Sequence, residues 1–234
     1  MTLKLHTVSG APRGWRVLLG LAFKEVPATV EMHTISNGDL KTEDFLALNP
    51  RSKIPVLETG DEVLRDSIAA LAWLDRKYPE NPLFGEDKDE AGEIWQTTME
   101  CCDYLRDAVH ALLSRVFPSD GTLPPENSQD RADLQAGADL MHAECAYLEA
   151  ILSDDRHYLA GLLPSAADAI AYPEVRLLQR AMETKPKMMS ALGFSSLLGA
   201  YPNLAAWKTR LNNDPRVVRT MPPHWTEQAK EEER

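Results

Sequence analysis

The residue types best suited to chemistry gather between Asn49 and Ser67, in the run NPRSKIPVLETGDEVLRDS. Ile54-Pro55-Val56-Leu57-Glu58 is a short apolar segment, Thr59-Gly60-Asp61-Glu62 is rich in turn formers, and Val63-Leu64 is apolar again. That pattern predicts a β-hairpin. A proline at the head of a strand donates no ladder hydrogen bond, so Pro55 fits an edge or an entry point. With a cis bond before it, Ile54 turns its own N–H and C=O outward, where an extended ligand can pair with them. Asp66-Ser67 follows at once, and Ile68, Leu71, Ala72 and Leu74 then recur at helical spacing. Either Asp66 or Ser67 is placed to cap that helix.

The elements that must hold this stretch lie before it. Leu3 to Val8 alternates in part and runs into Ser9-Gly10-Ala11-Pro12, a strand and a tight turn. Trp15, Val17, Leu18, Leu21 and Ala22 then mark a helix of three turns with Pro12 near its start. Residues 29–35 read as a second strand, residues 36–41 as a polar loop, and residues 43–48 as a short helix. A β-α-β unit followed by a hairpin and a helix is the thioredoxin-like order.

The set N-P-x-x-K-I-P-V-L followed by D-S resembles the glutathione site of the glutathione transferase family. The resemblance implies that the Ile54 main chain, presented by Pro55, pairs with the cysteinyl backbone of glutathione. It implies that Asp66 and Ser67 hold the γ-glutamyl end and that Lys53 approaches the glycyl carboxylate. The residue types suit this: a carboxylate meets an ammonium, a lysine meets a carboxylate, and a helix N-terminus accepts an anion through its free N–H groups. Without Lys53-Ile54-Pro55 at this spacing, Ser67 reads as a plain helix cap and Asp66 as a complement to the helix dipole.

The implied reaction needs a thiolate. The thiol of glutathione has an ordinary pKa of about 8.5, and a helix N-terminus with a hydrogen-bond donor can bring a thiol to about 7 or below. The family usually places a Ser, Tyr or Cys near the start of the first helix. Here Ala11-Pro12 stands at the Ser/Cys-Pro position, and alanine offers only its backbone N–H. Three readings stay open. Ser9 reaches the sulfur, and it is the favoured donor, with Thr7 the other nearby hydroxyl. The Gly10 and Ala11 N–H groups act with the helix end. Or glutathione binds without strong activation. Arg13 reads either as a ligand contact or as a solvated first-turn side chain, and His6 as a packed or edge histidine.

Tyr78 to Gly85 carries two prolines and a glycine and breaks the helix. The expected division is a thioredoxin-like domain over 1–79, a linker over 80–87, an all-α helical-bundle domain over 88–222 and a charged tail over 223–234. Ile94, Trp95, Thr98, Met99, Cys102, Leu105, Val109, Leu112, Leu113 and Val116 predict one helical face, and Leu134 to Leu152 a second long helix. Trp95, Met99, Cys102 and Tyr104 are candidates for an apolar pocket for the electrophile. Ser165-x-x-Asp168 ahead of Ile170 and Val175 is a capping-box pattern, and it resembles the buried one of the transferases' helical domain. A last helix runs from Leu204 to Leu211.

With 234 residues, 44% hydrophobic, the chain reads as a folded protein of one large or two small domains. Lys+Arg 25 against Asp+Glu 36 gives a net charge of −11, so no nucleic-acid or anionic-membrane surface is expected. Glutathione is itself an anion, so Lys53, Arg13 and Arg51 must supply a local positive site. Cys101, Cys102 and Cys145 show no metal spacing and no disulfide framework, and read as buried thiols. No apolar run reaches the roughly 20 residues of a membrane span, and MTLKLHTV lacks a signal-peptide pattern. The expectation is a cytoplasmic enzyme joining the glutathione thiolate to a small hydrophobic electrophile, assembled as a homodimer by family habit. Glutathione-dependent isomerisation, dehalogenation or ether cleavage is the chemical alternative. A transferase-fold interaction protein with little turnover is the other.

Overall fold

The structure, a computed structural model, describes residues 3–225. The tail from Thr226, expected to be charged and frayed, lies outside the described residues. Packing divides the chain into two compact units: residues up to 91 together with those from 212 onward, and residues 92–211.

The first unit is built on a four-stranded sheet in the order β2-β1-β3-β4. β1 (Leu3–Thr7) leads through a turn into α1 (Pro12–Phe23). β2 (Ala28–Met32) returns parallel to β1, with Leu3 opposite Ala28 and Thr7 opposite Met32. A 3-10 turn (Asp39–Lys41) and α2 (Glu43–Leu48) lead to β3 (Val56–Glu58), which runs antiparallel to β1. β4 (Val63–Leu64) completes the predicted hairpin, and α3 (Ser67–Lys77) follows. The two sheet faces differ, because side chains alternate along a strand. Leu3, Leu5 and Leu57 pack with Val17, Leu21, Ala70 and Leu74 of the helices in one core. Lys4, His6 and Glu58 lie on the other face.

Gly14 is what lets α1 lie close on β1. A Cβ there would stand 1.7 Å from Thr7 Oγ1 and 2.9 Å from Thr7 Cβ. Lys24, its side chain fully buried, closes the far end of the helix pair. Its Nζ donates to Asp75 Oδ1, Glu80 O and Asn81 O, each at 3.0 Å. Asp75 also accepts from Leu83 N at 2.6 Å, so one buried ion pair anchors residues 80–83 to α1.

The C-terminal segment rejoins this unit. After α10 (Pro202–Asn213) come α11 (Pro215–Val218) and a 3-10 turn (Pro223–Trp225). Trp15 Nε1 donates to Thr220 Oγ1 at 2.8 Å, and the Trp225 ring meets the Trp15 ring edge-on at 5.4 Å. Arg216 sits over the Phe23 ring at 5.8 Å.

The second unit is helical throughout. α4 (Lys88–Glu100) passes through a π-helical turn (Cys101–Leu105) into α5 (Arg106–Val116). The sequence suggests one apolar face over this span. Of that face Ile94, Thr98, Leu105, Val109, Leu112 and Val116 are buried, while Trp95 and Met99 are 38% and 41% exposed. α6 (Gln129–Ile151) packs on α5, with Gly137 so close that a Cβ would lie 2.9 Å from Ala111 O. α7 (Ala166–Thr184) runs through the core, followed by α8 (Pro186–Ala191) and α9 (Leu197–Ala200). The capping box at its start is present. Asp168, wholly buried, accepts from Leu159 N, Ser165 N, Ser165 Oγ and Trp207 Nε1 at 3.0, 2.9, 3.0 and 2.7 Å. Burial pushes this carboxyl up from its ordinary value, and the four donors pull against that shift. Glu174, also fully buried, pairs with Arg106 at 3.0 Å. Among the described residues no helix is long and apolar enough to cross a membrane.

Candidate functional site

The cleft at the hairpin entrance has a volume of about 620 Å³ and is lined by Arg13, Asn49, Pro50, Arg51, Lys53, Ile54, Pro55, Arg65, Asp66 and Ser67. Each is placed by a local rule. The Ile54–Pro55 bond is cis. Among the described residues no hydrogen bond engages the N–H or C=O of Ile54, although Val56, two residues on, is already paired with β1.

The loop ahead of Pro55 is held by Asn49, which is 1% exposed. Its Nδ2 donates to Lys53 O at 2.7 Å and its Oδ1 accepts from Arg51 N at 3.1 Å. Ser52 takes a positive φ of 53° and its Oγ donates to Leu40 O at 2.6 Å. Arg65 Nε donates to Leu48 O at 2.5 Å. Asn49 and Arg65 were not singled out from sequence. Asn49-Pro50 reads as a turn signal, and nothing in one sequence separates a turn asparagine from a buried brace.

Asp66 is the helix cap, resolving the choice between it and Ser67. Its Oδ1 accepts from Ile68 N at 2.9 Å and Ala69 N at 3.1 Å. Ser67 is the first residue of α3 and is 3% exposed. One oxygen of Asp66 is therefore committed to the backbone, and among the described residues Oδ2 has no bond. Arg13, Arg51, Lys53 and Arg65 stand against the single carboxylate of Asp66 in this lining, so the cleft is locally positive on a chain of net charge −11.

The turn into α1 departs from expectation in two ways. Ser9 is not among the residues lining the cleft. It sits on the adjoining turn, with Oγ 3.3 Å from His224 Nδ1. Gly10 takes φ +76°, and a Cβ on it would lie 3.3 Å from both His224 Cε1 and Trp225 Cζ2. The Ala11 N–H, weighed as a donor to the sulfur, is already given to Val8 O at 3.1 Å. Pro12 has no N–H, and Trp15 N begins the helix ladder on Ala11 O. Among the described residues, the unpaired donors of this helix end are thus the N–H groups of Arg13 and Gly14. Thr7 is fully buried.

Of the candidates for an electrophile pocket, Trp95 and Met99 lie on α4 and Cys102 and Tyr104 on the π-helical turn. Burial pushes the Cys145 thiol up to about 12.

A thioredoxin-like unit with a cis-proline cleft and an all-helical unit in one chain define the two-domain transferase-type architecture. Residues 11–77 match the model of the glutathione S-transferase N-terminal domain, and residues 106–215 match the glutathione S-transferase C-terminal domain. The chain belongs to the glutathione S-transferase family. It is 24% identical to glutathione S-transferase A of Pleuronectes platessa over 94% of this chain and 91% of that one. It is 36% identical to glutathione S-transferase 1 of Dianthus caryophyllus, but over only 36% of this chain and 38% of that relative. Among solved structures, a glutathione S-transferase from the Antarctic clam Laternula elliptica superposes with a TM-score of 0.81 at 26% identity, covering 97% of this chain and 95% of that one.

Proposed function

We propose that the chain binds glutathione in the cleft between Arg13 and Ser67 and transfers its thiolate to a small hydrophobic electrophile. The observation that carries this reading is the meeting of Lys53, Ile54, cis Pro55, Asp66 and Ser67 around one cleft. The γ-glutamyl ammonium lies against Oδ2 of Asp66, and its carboxylate takes the hydroxyl and the backbone N–H of Ser67 at the start of α3. The cysteinyl peptide pairs with the Ile54 N–H and C=O, as an added strand would. Lys53 takes the glycyl carboxylate.

The sulfur then faces the start of α1. The Arg13 and Gly14 N–H groups and the helix dipole favour the thiolate, and Ser9 is the side-chain donor in this reading. The thiolate attacks the electrophile, forming an S–C bond as the leaving group departs with its electron pair. Each pKa unit removed from the thiol is worth about 1.4 kcal/mol. Cytoplasmic location and a homodimer belong to the same reading and rest on the family alone.

The test is glutathione titration by calorimetry on wild type and Asp66→Asn. Asparagine caps a helix as well as aspartate, so unfolding should stay within about 0.5 kcal/mol. Affinity should fall roughly 10- to 100-fold, the worth of a hydrogen bond to a charged group. Absence of saturable binding by wild type overturns the reading.

A further inference from the structure

The sheet face opposite the Leu3–Leu5 core carries a second cluster, none of whose residues lines the cleft. In the register of β1 and β2, His6 lies opposite Glu31, and His33 follows β2 by one residue. His33 N donates to Thr7 O at 2.8 Å, which fixes its backbone against the end of β1. His6 Nδ1 and His33 Nε2 face each other at 2.9 Å. Glu31 Oε2 lies 3.9 Å from His6 Nδ1, and Oε1 lies 3.6 Å from His33 Nε2. We propose that His6 Nδ1, His33 Nε2 and the Glu31 carboxylate form a binding site for a divalent first-row transition metal ion, with zinc the reference ion.

Three arguments support the assignment. The first is geometric. A tetrahedral ion with bonds of about 2.0–2.1 Å holds its ligand atoms about 3.3–3.4 Å apart. The separations between the ligand atoms, 2.9 Å from His6 Nδ1 to His33 Nε2 and 3.6 Å from His33 Nε2 to Glu31 Oε1, bracket that value, so small rotations suffice.

The second is the partner of the other His6 nitrogen. His6 Nε2 is 2.7 Å from Glu58 Oε1 on β3. A metal-bound histidine commonly donates its remaining N–H to a carboxylate, which fixes the tautomer and aims the lone pair. With the proton on Nε2, the lone pair of Nδ1 points at His33. His6 is 2% exposed, and the Phe45 ring stands edge-on to both imidazoles at 6.1 and 5.0 Å, so the rings are held.

The third is chemical. Two imidazoles and one carboxylate suit zinc, copper or nickel, whereas calcium and magnesium prefer all-oxygen sites. The Glu31 side chain is 44% exposed, which opens a fourth position to water.

Lys4 is the opposing feature. Its Nζ lies 2.6 Å from Glu31 Oε2 and 3.9 Å from Glu58 Oε1. Bound through Oε1, the ion leaves Oε2 to Lys4, at the cost of a like charge nearby. Removing that charge should therefore strengthen binding.

The experiment is equilibrium dialysis of the tag-free, metal-stripped full chain against zinc, with cobalt as an optical reporter. One saturable equivalent is expected. The cobalt complex should show d–d bands with no thiolate charge-transfer band, since no cysteine is involved. Glu58→Gln should weaken zinc binding roughly 10-fold or more, His33→Ala and Glu31→Gln should abolish it, and Lys4→Met should tighten it. Glu31 is on the surface, so Glu31→Gln keeps the test valid should His33→Ala fail to fold. No saturable binding, a thiolate band, or unchanged binding in Glu31→Gln each overturns the proposal.

Discussion

Ser9 and His224 stand 215 residues apart in the chain, yet Ser9 Oγ lies 3.3 Å from His224 Nδ1. The hydroxyl has a single hydrogen to give. An unprotonated Nδ1 draws that hydrogen away from a bound sulfur. Ser9→Ala removes whatever share of that hydrogen still reaches the sulfur, and should raise the pKa of bound glutathione toward about 8.5, the value of a free thiol. His224→Ala should lower it below wild type, because the hydroxyl is released. Ultraviolet difference spectra of the bound thiolate against pH read both. A pKa that ignores Ser9→Ala assigns the work to the Arg13 and Gly14 N–H groups and the helix end.

Gly14→Ala tests the contact that seats α1 on β1. The new methyl collides with Thr7 Oγ1 and Cβ, both belonging to a stiff, buried side chain. Overpacking of this kind costs about 1–3 kcal/mol. The double variant Gly14→Ala/Thr7→Ala should recover only part of the loss, since Thr7 Cβ remains 2.9 Å from the added carbon. Urea unfolding measures it; full recovery would assign the whole clash to the Thr7 atoms beyond Cβ, and no recovery would place it elsewhere.

Asp168→Ala should destabilise the helical unit while leaving glutathione affinity unchanged. It strands four donors, three of them on Leu159 and Ser165 and one on Trp207. A stranded buried group costs about 1–3 kcal/mol, so a loss of at least ~3 kcal/mol is expected. Thermal unfolding unchanged from wild type would sink the claim.

Cys145 gives a stability slope at alkaline pH. Burial, reinforced by neighbouring Glu144, moves its thiol from 9.0 to about 12. Between those values the folded chain holds a proton that the unfolded chain has released. The contribution is full below about 9 and is lost as pH rises through about 12, at roughly 1.4 kcal/mol per pH unit. Urea midpoints of wild type and Cys145→Ala from about pH 8 to about pH 11 should converge as pH rises. Parallel curves would show that the thiol does not titrate in this way.

The hairpin, the cis Pro55 junction and the Asp66 cap were legible because each is written in contiguous residues: an apolar run, turn formers, then a capping side chain. The β-α-β order followed from periodicity in the same way. The π-helical turn at Cys101–Leu105 was not legible. Cys101 and Leu105 keep apolar types on either side of it, so the pattern reads through as one helix. The partners of Ser9 and of Lys24 were hidden for another reason. His224 comes from the far end of the chain, and two of the three acceptors of Lys24 are backbone carbonyls, which carry no sequence signal. The His6, Glu31, His33 and Glu58 cluster escaped notice because its members come from three strands and the residue after one of them, with unremarkable spacing.

The return of residues 212–225 to the first unit changes what a fragment of this protein means. The helical unit is, in chain terms, an insert between two pieces of its neighbour. A single cut near residue 91 therefore liberates neither half. A recombinant piece ending there lacks Thr220 and Trp225, and so loses the Thr220 hydroxyl that accepts from the Trp15 indole and the Trp225 ring that meets it edge-on. The thioredoxin-like portion keeps these contacts only when residues 212–225 are present, which makes chain termination after the helical unit a lesion of the half that carries the cis-proline cleft.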